Sequence, residues 1–405
     1  MKQKDGVCIT TSPTLRGVRI ARISTVPFFV VTQLKQQIKT LIVNGAKVTV
    51  ITSNGPELSS LRKMTNLRCL PIEIPRSISP WRDLLALIQL WMFFRKEQIT
   101  IAHSTTPKGG LLTAFAAFLA GVPVRLHTFT GQPWVGMRGI MNWLARGSDW
   151  LIGRLNTRCY TDSASQRQFL IEQGVLKPGR LFVIGAGSLA GVDFTRFDRG
   201  RFPAESRHAL RQSLGIPADV EILLFVGRIT IDKGVHELLK AFTEIKMAGS
   251  RAHLIFVGPL ESDIGVGGEN SLLEINAGHD VHFVGYSECP EQYMSIADIL
   301  CLPSYREGFG TVVIEAAAMS VPTVGTNIYG LSDAIEHGKT GILVKPQDSN
   351  SLQKGLVMLL ADKALRFKMG MSARQRAEDL YCADRVNGEV VKEYSRLLQS
   401  RRLQW

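Results

Sequence analysis

Residues 303–315 read PSYREGFGTVVIE; an apolar run, ILCL at 299–302, leads into them, and an apolar helical pattern over 311–319 leads out. Strand, glycine-broken loop and helix in that order build an anion site, because the loop ends where unpaired backbone N–H groups and the helix dipole both favour negative charge. Gly308 and Gly310 carry no Cβ, so the backbone there can approach a ligand closely. An acid pair accompanies the loop: Glu307 within it, and Glu315 eight residues further on, inside the helix. A phosphate-binding helix start flanked by two carboxylates suits a ligand with both phosphates and hydroxyls, such as a nucleotide-sugar. Surface glutamates at this spacing also arise by chance, and the rest of the chain must decide between the two.

The same alternation extends in both directions. Upstream of this stretch, strands are expected at 221–226 (EILLFV), 253–257 (HLIFV), 281–284 (VHFV) and 299–302, and downstream at 322–325 and 341–344, with helices such as 235–246 and 291–297 between them. The first half repeats the pattern with strands at 18–24, 47–52, 67–74, 99–103 and 123–128, a helical pattern running to Leu41, and an apolar helix at 111–119. Short apolar strands alternating with helices mean parallel sheets covered on both faces. The fold class is therefore α/β, with two Rossmann-like doubly wound domains. Their join is expected near 183–201, where Gly185, Gly187, Gly191 and several charges interrupt the periodicity. A chain of 405 residues is too long for one ordinary core, which agrees with two domains. Ligands of open parallel sheets bind beyond the carboxyl ends of the strands, so two such domains imply a cleft between them.

Charge is divided unevenly along the chain. Residues 1–187 hold 24 Lys+Arg against 8 Asp+Glu, a net of +16, whereas residues 188–405 hold 24 against 27, a net of −3. A first half this basic points to an anionic partner, a nucleic acid or an acidic membrane surface. No stacking aromatic platform or nucleic-acid module is legible, which argues against the nucleic acid. The six cysteines (8, 69, 159, 289, 301, 382) are scattered singly, which fits reduced thiols in a cytosolic setting and neither a disulfide framework nor a zinc site. The first 16 residues read as a polar lead-in, not a signal peptide.

A second motif matches the first. Residues 225–234 read FVGRITIDKG: a strand ends at Val226, Gly227 allows close approach, and Arg228 and Lys233 flank a short loop before a helix. Two cations there can neutralise a diphosphate without a metal, and no DxD pair occurs anywhere in the chain. VGR-x4-KG followed about 80 residues later by E-x7-E, on strand–helix junctions of one sheet, is a specific combination.

In this order of motifs, and in the run AAAMSVPTVGTNIYGLSDAIEHGKTGILVKPQD, the chain resembles the retaining family 4 glycosyltransferases of the GT-B fold. The resemblance covers nearly the whole chain, most strongly 226–348. HSTTPKGGLLTAFAAFLAGVPVRLHT and DSASQRQFLIEQGV look like the bacterial cell-surface polysaccharide branch, which builds O-antigen or capsule units on undecaprenyl diphosphate. The resemblance implies an acceptor-side domain at 1–187, a nucleotide-sugar-binding domain at 188–385, and a C-terminal helix at 386–405 packing back on the first domain. It implies that Arg228 and Lys233 bind the donor diphosphate, Glu307 the transferred sugar and Glu315 the ribose hydroxyls. Backbone from Gly308, Phe309, Gly310 and Thr311 would complete the phosphate cradle beside Gly227, and Val284, Gly285 and Tyr286 would hold the base. No cofactor or divalent metal is implied. The implied partners are a nucleotide-sugar (UDP-linked is the expected form), an undecaprenyl-diphosphate-linked acceptor and the anionic cytoplasmic face of the inner membrane; no protein partner is deducible.

Two departures concern the first domain. Many family members carry a sugar-proximal His after the fifth strand, where this chain reads RLHTFTG, so Thr130, His127 or His103 fills the role. The first strand–helix loop, STVPFFVVTQ, has Phe28 and Phe29 where glycines are common, either to pass an apolar acceptor or to pack. Lys108, with Gly109 and Gly110, is the candidate for the acceptor's diphosphate.

Two apolar segments bear on membrane contact. Residues 81–94 (WRDLLALIQLWMFF) span 14 positions, short of the about 20 a crossing helix needs, and are expected to be mainly core. Residues 138–158 mix Arg with Trp143 and Trp150 and suit either an interfacial helix or a core one. Two other functions fit the fold: a UDP-N-acetylglucosamine 2-epimerase, with acid–base groups at the sugar and no lipid acceptor, and a non-enzymatic membrane-surface binding protein.

Overall fold

The computed structural model describes residues 15–75, 77–260 and 280–402. Most of the expected lead-in therefore lies outside the described residues.

Seven parallel strands make the first sheet: β1 (Arg19–Ile23), β2 (Lys47–Thr52), β3 (Leu67–Pro71), β4 (Ile101–Ser104), β5 (Val124–Phe129), β6 (Arg158–Thr161) and β7 (Leu181–Val183), in the order β3-β2-β1-β4-β5-β6-β7. Six make the second: β8 (Ile222–Val226), β9 (His253–Val257), β10 (Val281–Gly285), β11 (Ile299–Leu302), β12 (Thr323–Thr326) and β13 (Gly341–Val344), ordered β10-β9-β8-β11-β12-β13. The two doubly wound domains expected from the alternation are present. Strands such as ILLFV and HLIFV are buried on both faces, which is why they read as continuous apolar runs. β6 and β7 were not anticipated: RCYT and LFV are too short and mixed to show a period.

The helices that matter here are α1 (Lys35–Val43), α2 (Pro80–Lys96), α3 (Pro107–Leu119), α4 (Gly139–Leu155), α5 (Ala164–Glu172), α6 (Val235–Met247), α7 (Thr311–Ala318), α8 (Lys363–Tyr381) and α9 (Ala383–Arg402). α2 and α3 cover one face of the first sheet, α4 continues that layer, and α1 and α9 cover the opposite face. α9 thus returns from the second domain to the first. Glu393 on α9 accepts from Arg158 Nη1 (2.9 Å) and from the Tyr160 hydroxyl (2.7 Å). Where the chain turns into α9, Val192 N–H donates to the Tyr381 carbonyl (2.8 Å) and Ala383 N–H to the Val192 carbonyl (2.9 Å). The two connections between the domains are therefore bonded side by side.

In the first sheet the order reverses between β1 and β4, and in the second between β8 and β11. At such switch points the loops after neighbouring strands run apart and leave a crevice. The loop after β8 holds Gly227 to Gly234, and the loop after β11 holds Pro303 to Gly310. Topology thus brings the two motifs together.

α2 and α4 are core on one side only. Ala86, Leu90, Phe93 and Phe94 of α2 are buried, while Trp81 is 80% exposed; on α4, Ile152 is buried and Trp143 is 73% exposed. The core reading of α2 is thus half right, and neither alternative alone describes α4. Among the described residues no helix is long and apolar enough to cross a membrane.

Candidate active site

Gly234 sets the first half of the site. Its φ of +70° is left-handed, and a Cβ there would stand 2.1 Å from the Pro303 carbonyl oxygen. Only glycine lets the loop after β8 lie against the loop after β11. Further bonds tie these loops: Tyr305 N–H donates to the Asp232 carbonyl (2.9 Å), and Arg306 Nη2 pairs with Asp232 Oδ2 (2.9 Å). Burial pushes the Asp232 carboxyl up, but the Thr230 hydroxyl and the charges of Arg306, Lys233 and Arg228 outweigh it and hold the group below its ordinary range.

Lys233 Nζ donates to Glu307 Oε1, and the same oxygen accepts from Ser304 Oγ (2.9 Å). Two of the three residues expected to be catalytic are therefore brought into contact, each side chain about one-sixth exposed to solvent (16% and 16%). Arg228 belongs to the same loop, and its charge reaches Asp232. α7 begins at Thr311 with its first amides at the crevice, and Thr311 Oγ1 lies 3.3 Å from Gln33 Oε1 of the first domain. Glu315, one turn into α7, is partly accessible. Burial pushes its carboxyl up to about 7, with Arg196 opposing and Glu291 reinforcing that shift. Arg196 comes from the connecting segment and holds Glu291 through two bonds, 3.0 and 2.9 Å. Tyr286, just past β10, is 55% exposed and meets Phe28 edge-on at 5.7 Å across the cleft. Val284 and Gly285 end the strand beneath it.

The first domain closes over this site at Gly308. A Cβ on Gly308 would lie 2.7 Å from the Thr130 carbonyl oxygen and 3.2 Å from Asp162 Oδ2. Of the three residues open for the sugar-proximal role, Thr130 is the one whose backbone stands against the facing loop, while its hydroxyl donates to the Thr105 carbonyl (3.3 Å). His103 and His127 are each 1% exposed, inside the first domain. His103 is held by the Tyr394 hydroxyl at Nδ1 (2.5 Å) and by Thr128 at Nε2 (2.8 Å). Burial, with Arg22 and His127 nearby, keeps its pKa well below the usual imidazole range. His127 bonds Ser104 (2.9 Å), and burial with the Arg22 charge pushes it down to about 3. Both rings are thus enclosed by the first domain and bonded to its own groups, and the structure does not bring either to the facing loop.

Lys108 is also displaced from its expected role. Its Nζ pairs with Asp83 Oδ1 (2.6 Å) and donates to the Ser77 carbonyl (2.5 Å), so it fastens the start of α2 to α3. Gly109 is buried, packed against Thr106 and Thr25. Phe309 is 2% exposed and packs edge-on against Tyr381 at 5.0 Å, so its ring is core and leaves only its backbone for the expected cradle.

Sequence reasoning missed two groups. Asp162 follows β6, the strand not foreseen, and burial pushes its carboxyl up to about 8. Ser165 donates to Asp333 Oδ2 and accepts from Gly330 N–H (2.8 Å), a clasp between the domains. The pattern D-S-x-S at 162–165 is the signal that marks this helix start: Ser163 Oγ accepts from Gln166 N–H (3.2 Å).

Comparison with known proteins agrees with this construction. The family described as glycosyl transferases group 1 matches residues 206–376, and the glycosyl transferase 4-like domain matches residues 30–187. Together with the two sheets and the assembled loops, they define the class: the chain is a two-domain GT-B glycosyltransferase, a glycosyl transferase 4-like domain followed by a glycosyl transferases group 1 domain. It is 29% identical over 371 residues to the capsular polysaccharide biosynthesis glycosyltransferase CapM of Staphylococcus aureus, covering 90% of this chain and 94% of that one. It is 25% identical over 333 residues to the UDP-Gal:alpha-D-GlcNAc-diphosphoundecaprenol alpha-1,3-galactosyltransferase of Escherichia coli, covering 80% of each. In fold it is similar to Anabaena HepE, solved with UDP and glucose (TM-score 0.78, 18% identity, 93% of this chain and 99% of that one).

Proposed function

We propose that this protein transfers a sugar from a UDP-linked donor, with retention of configuration and without a metal, to an undecaprenyl-diphosphate-linked glycan in O-antigen or capsule assembly. The observation that carries the reading is the Lys233–Glu307 pair at the second sheet's switch point, beside Arg228 and the start of α7. Arg228 and Lys233 meet the charge that builds on the departing diphosphate. Glu307 and Glu315 accept hydrogen bonds from sugar and ribose hydroxyls. The acceptor hydroxyl attacks the anomeric carbon on the face the diphosphate leaves. As the bond to the phosphate oxygen breaks and the new glycosidic bond forms, the hydroxyl proton passes to the leaving phosphate. The donor and acceptor of the Escherichia coli relative support the donor and acceptor class, and the capsular role of CapM supports the capsule setting.

The outer faces of α2 and α4 support work at a membrane. Trp81, Leu85 and Trp91 on one helix, and Ile140, Trp143 and Trp150 on the other, are exposed beside Arg82, Arg138 and Arg154, the last stacked over Trp150 at 5.1 Å. Aromatic and apolar side chains among cations suit the interface of an anionic leaflet, here the cytoplasmic face of the inner membrane. The test is a panel of UDP-sugars assayed against undecaprenyl-diphosphate-linked acceptors, with and without EDTA. Transfer that is EDTA-resistant and keeps the donor's anomeric configuration supports the reading. A donor whose sugar is epimerised without any acceptor overturns it in favour of an epimerase.

A further inference from the structure

Residues 327–330 read NIYG and follow β12. The loop of Glu307 rests directly on Gly330: a Cβ there would stand 2.5 Å from the Glu307 carbonyl oxygen and 2.8 Å from that of Gly308, so only glycine fits beneath it. Gly330 N–H donates to Ser165 Oγ (2.8 Å), and Ser165 N–H donates to Asp333 Oδ2 (2.9 Å). A shift of Gly330 is therefore passed to Glu307 and Gly308 by backbone contact.

Tyr329, the residue before, sends its ring across the domain boundary. It stacks on Phe169 of α5 at 4.5 Å, with the planes 18° apart. Phe169 stacks in turn on Trp134 at 5.5 Å and 17°. Trp134 is 3% exposed, donates from Nε1 to Asp149 (2.7 Å) and has the Arg146 guanidinium over its ring at 5.4 Å. Near-parallel rings thus run from the second domain into the first, where the far end is clamped. Trp134 lies in the same segment after β5 as Thr130, whose carbonyl faces Gly308. The contacts close a circuit: Thr130 to Trp134 along the chain, Trp134 to Tyr329 through the stack, and Gly330 back to Gly308.

The rings alone make this connection. The Tyr329 hydroxyl lies by the Gln132 backbone but closes no hydrogen bond of ordinary geometry among the described residues. Offset-stacked rings attract one another beyond the area they bury, and here that attraction exists only while the two domains are together.

We propose that Tyr329 is a positioning residue for sugar transfer, holding the loop of Glu307 in register with the first domain through its stack on Phe169 and Trp134. The proposal rests on the glycosyltransferase reading above, because Glu307 is the group being aimed. Tyr329 itself touches no substrate in this role. Without the stack the loop loses its reaction geometry, while the second domain keeps the loops that meet the donor.

The test compares the full chain with Tyr329→Ala, Tyr329→Phe and Phe169→Leu. It reads turnover of the UDP-sugar active in the panel above, UDP affinity by calorimetry, and the radius of gyration by small-angle scattering with UDP present. Tyr329→Ala and Phe169→Leu should each lower kcat about ten- to hundredfold and enlarge the radius. UDP affinity should stay within about twofold of the unmodified protein. Tyr329→Phe keeps the ring, so it should retain about half of kcat or more and the unmodified radius. The double variant Tyr329→Ala with Phe169→Leu should lose little more than either alone, because both break one contact. Phe169→Leu reaches the stack from the first domain, so it decides the matter if Tyr329→Ala fails to fold. Unchanged kcat and radius in the variants that remove a ring overturn the proposal. So does a Tyr329→Phe that loses as much as Tyr329→Ala, or a loss of UDP affinity in step with kcat, which would put Tyr329 in the donor pocket. An unmodified protein that turns over no UDP-sugar would instead sink the glycosyltransferase reading, and the radii would still show whether the stack holds the domains together.

Discussion

Glu307 Oε1 receives two donors at once, Lys233 Nζ from the loop after β8 and Ser304 Oγ from its own loop. The carboxylate is thus aimed before any ligand arrives, and the lysine is parked where a phosphate would take it over. Glu307→Ala and Lys233→Ala should each cost on the order of 2–4 kcal/mol in kcat/KM, and Arg228→Ala a similar amount. Because Lys233 and Glu307 touch, their double mutant should lose clearly less than the sum. Steady-state kinetics on the four variants checks this, and near-wild-type turnover in any two single variants would sink the site assignment.

Glu315 gives donor binding a pH dependence with a definite sign. Its carboxyl is pushed up to about 7, so in the free protein it is mostly protonated at pH 6 and mostly ionised at pH 8. The ribose hydroxyls donate to the ionised form. Affinity for UDP should therefore fall as pH drops through 7, by about tenfold between pH 8 and pH 6 if one carboxylate governs it. Glu315→Gln should bind weakly at both pH values with a flattened profile. Arg196→Gln removes the charge that opposes the shift, so its midpoint should lie above that of the unmodified protein. Calorimetry at the two pH values separates these outcomes.

At Gly308 the two domains are packed closely beside the site. A methyl there would stand 2.7 Å from the Thr130 carbonyl, which is backbone and cannot turn away. Gly308→Ala should therefore force the domains apart and lower kcat at least tenfold, while the thermal midpoint of each domain changes little. Small-angle scattering should report a larger radius of gyration. An unchanged radius with unchanged kcat would show that the contact is not needed.

Asp162 links the same contact to stability. Its folded carboxyl is pushed up to about 8 by burial, far above the range of an unfolded chain near 4. Between those values the folded state binds more protons than the unfolded one, so this group lowers stability as pH rises from 4 to 8. Asp162→Asn, which is never charged, should melt higher than the unmodified protein at pH 8, and the gap should close toward pH 4. A melting series across that range checks the sign.

Local pattern and topology differ in how far they can be read from the chain. HLIFV and ILLFV announced themselves because a strand buried on both faces is apolar throughout, and Arg228, Lys233, Glu307 and Glu315 because charged side chains among glycines at a strand–helix junction stand out from the apolar runs on either side. His103 and Lys108 were misjudged for one reason: their partners are distant in sequence. Tyr394 lies 291 positions from His103, and no period links them. Thr130 could be named but not chosen, since only the closure of the domains sets it against Gly308. Asp162 was missed with its strand. A short mixed segment such as RCYT becomes a strand only when its neighbours are already paired.

The exposed faces of α2 and α4 predict how the protein meets a membrane. Cations and tryptophans lie on the same surface, so binding should combine charge attraction with shallow insertion. In vesicle sedimentation the protein should bind phosphatidylglycerol-rich vesicles and be released in part by about 0.5 M salt, where the Debye length falls to a few ångströms. Neutral phosphatidylcholine vesicles should bind it weakly. Trp143→Ser, at a position 73% exposed, should lower the bound fraction several-fold and leave UDP affinity unchanged. Trp81→Ser should act in the same direction, and the pair should approach full release, because each helix supplies its own anchor. Binding indifferent to lipid charge would assign the contact to the apolar side chains alone, and binding indifferent to both tryptophans would remove these helices from it.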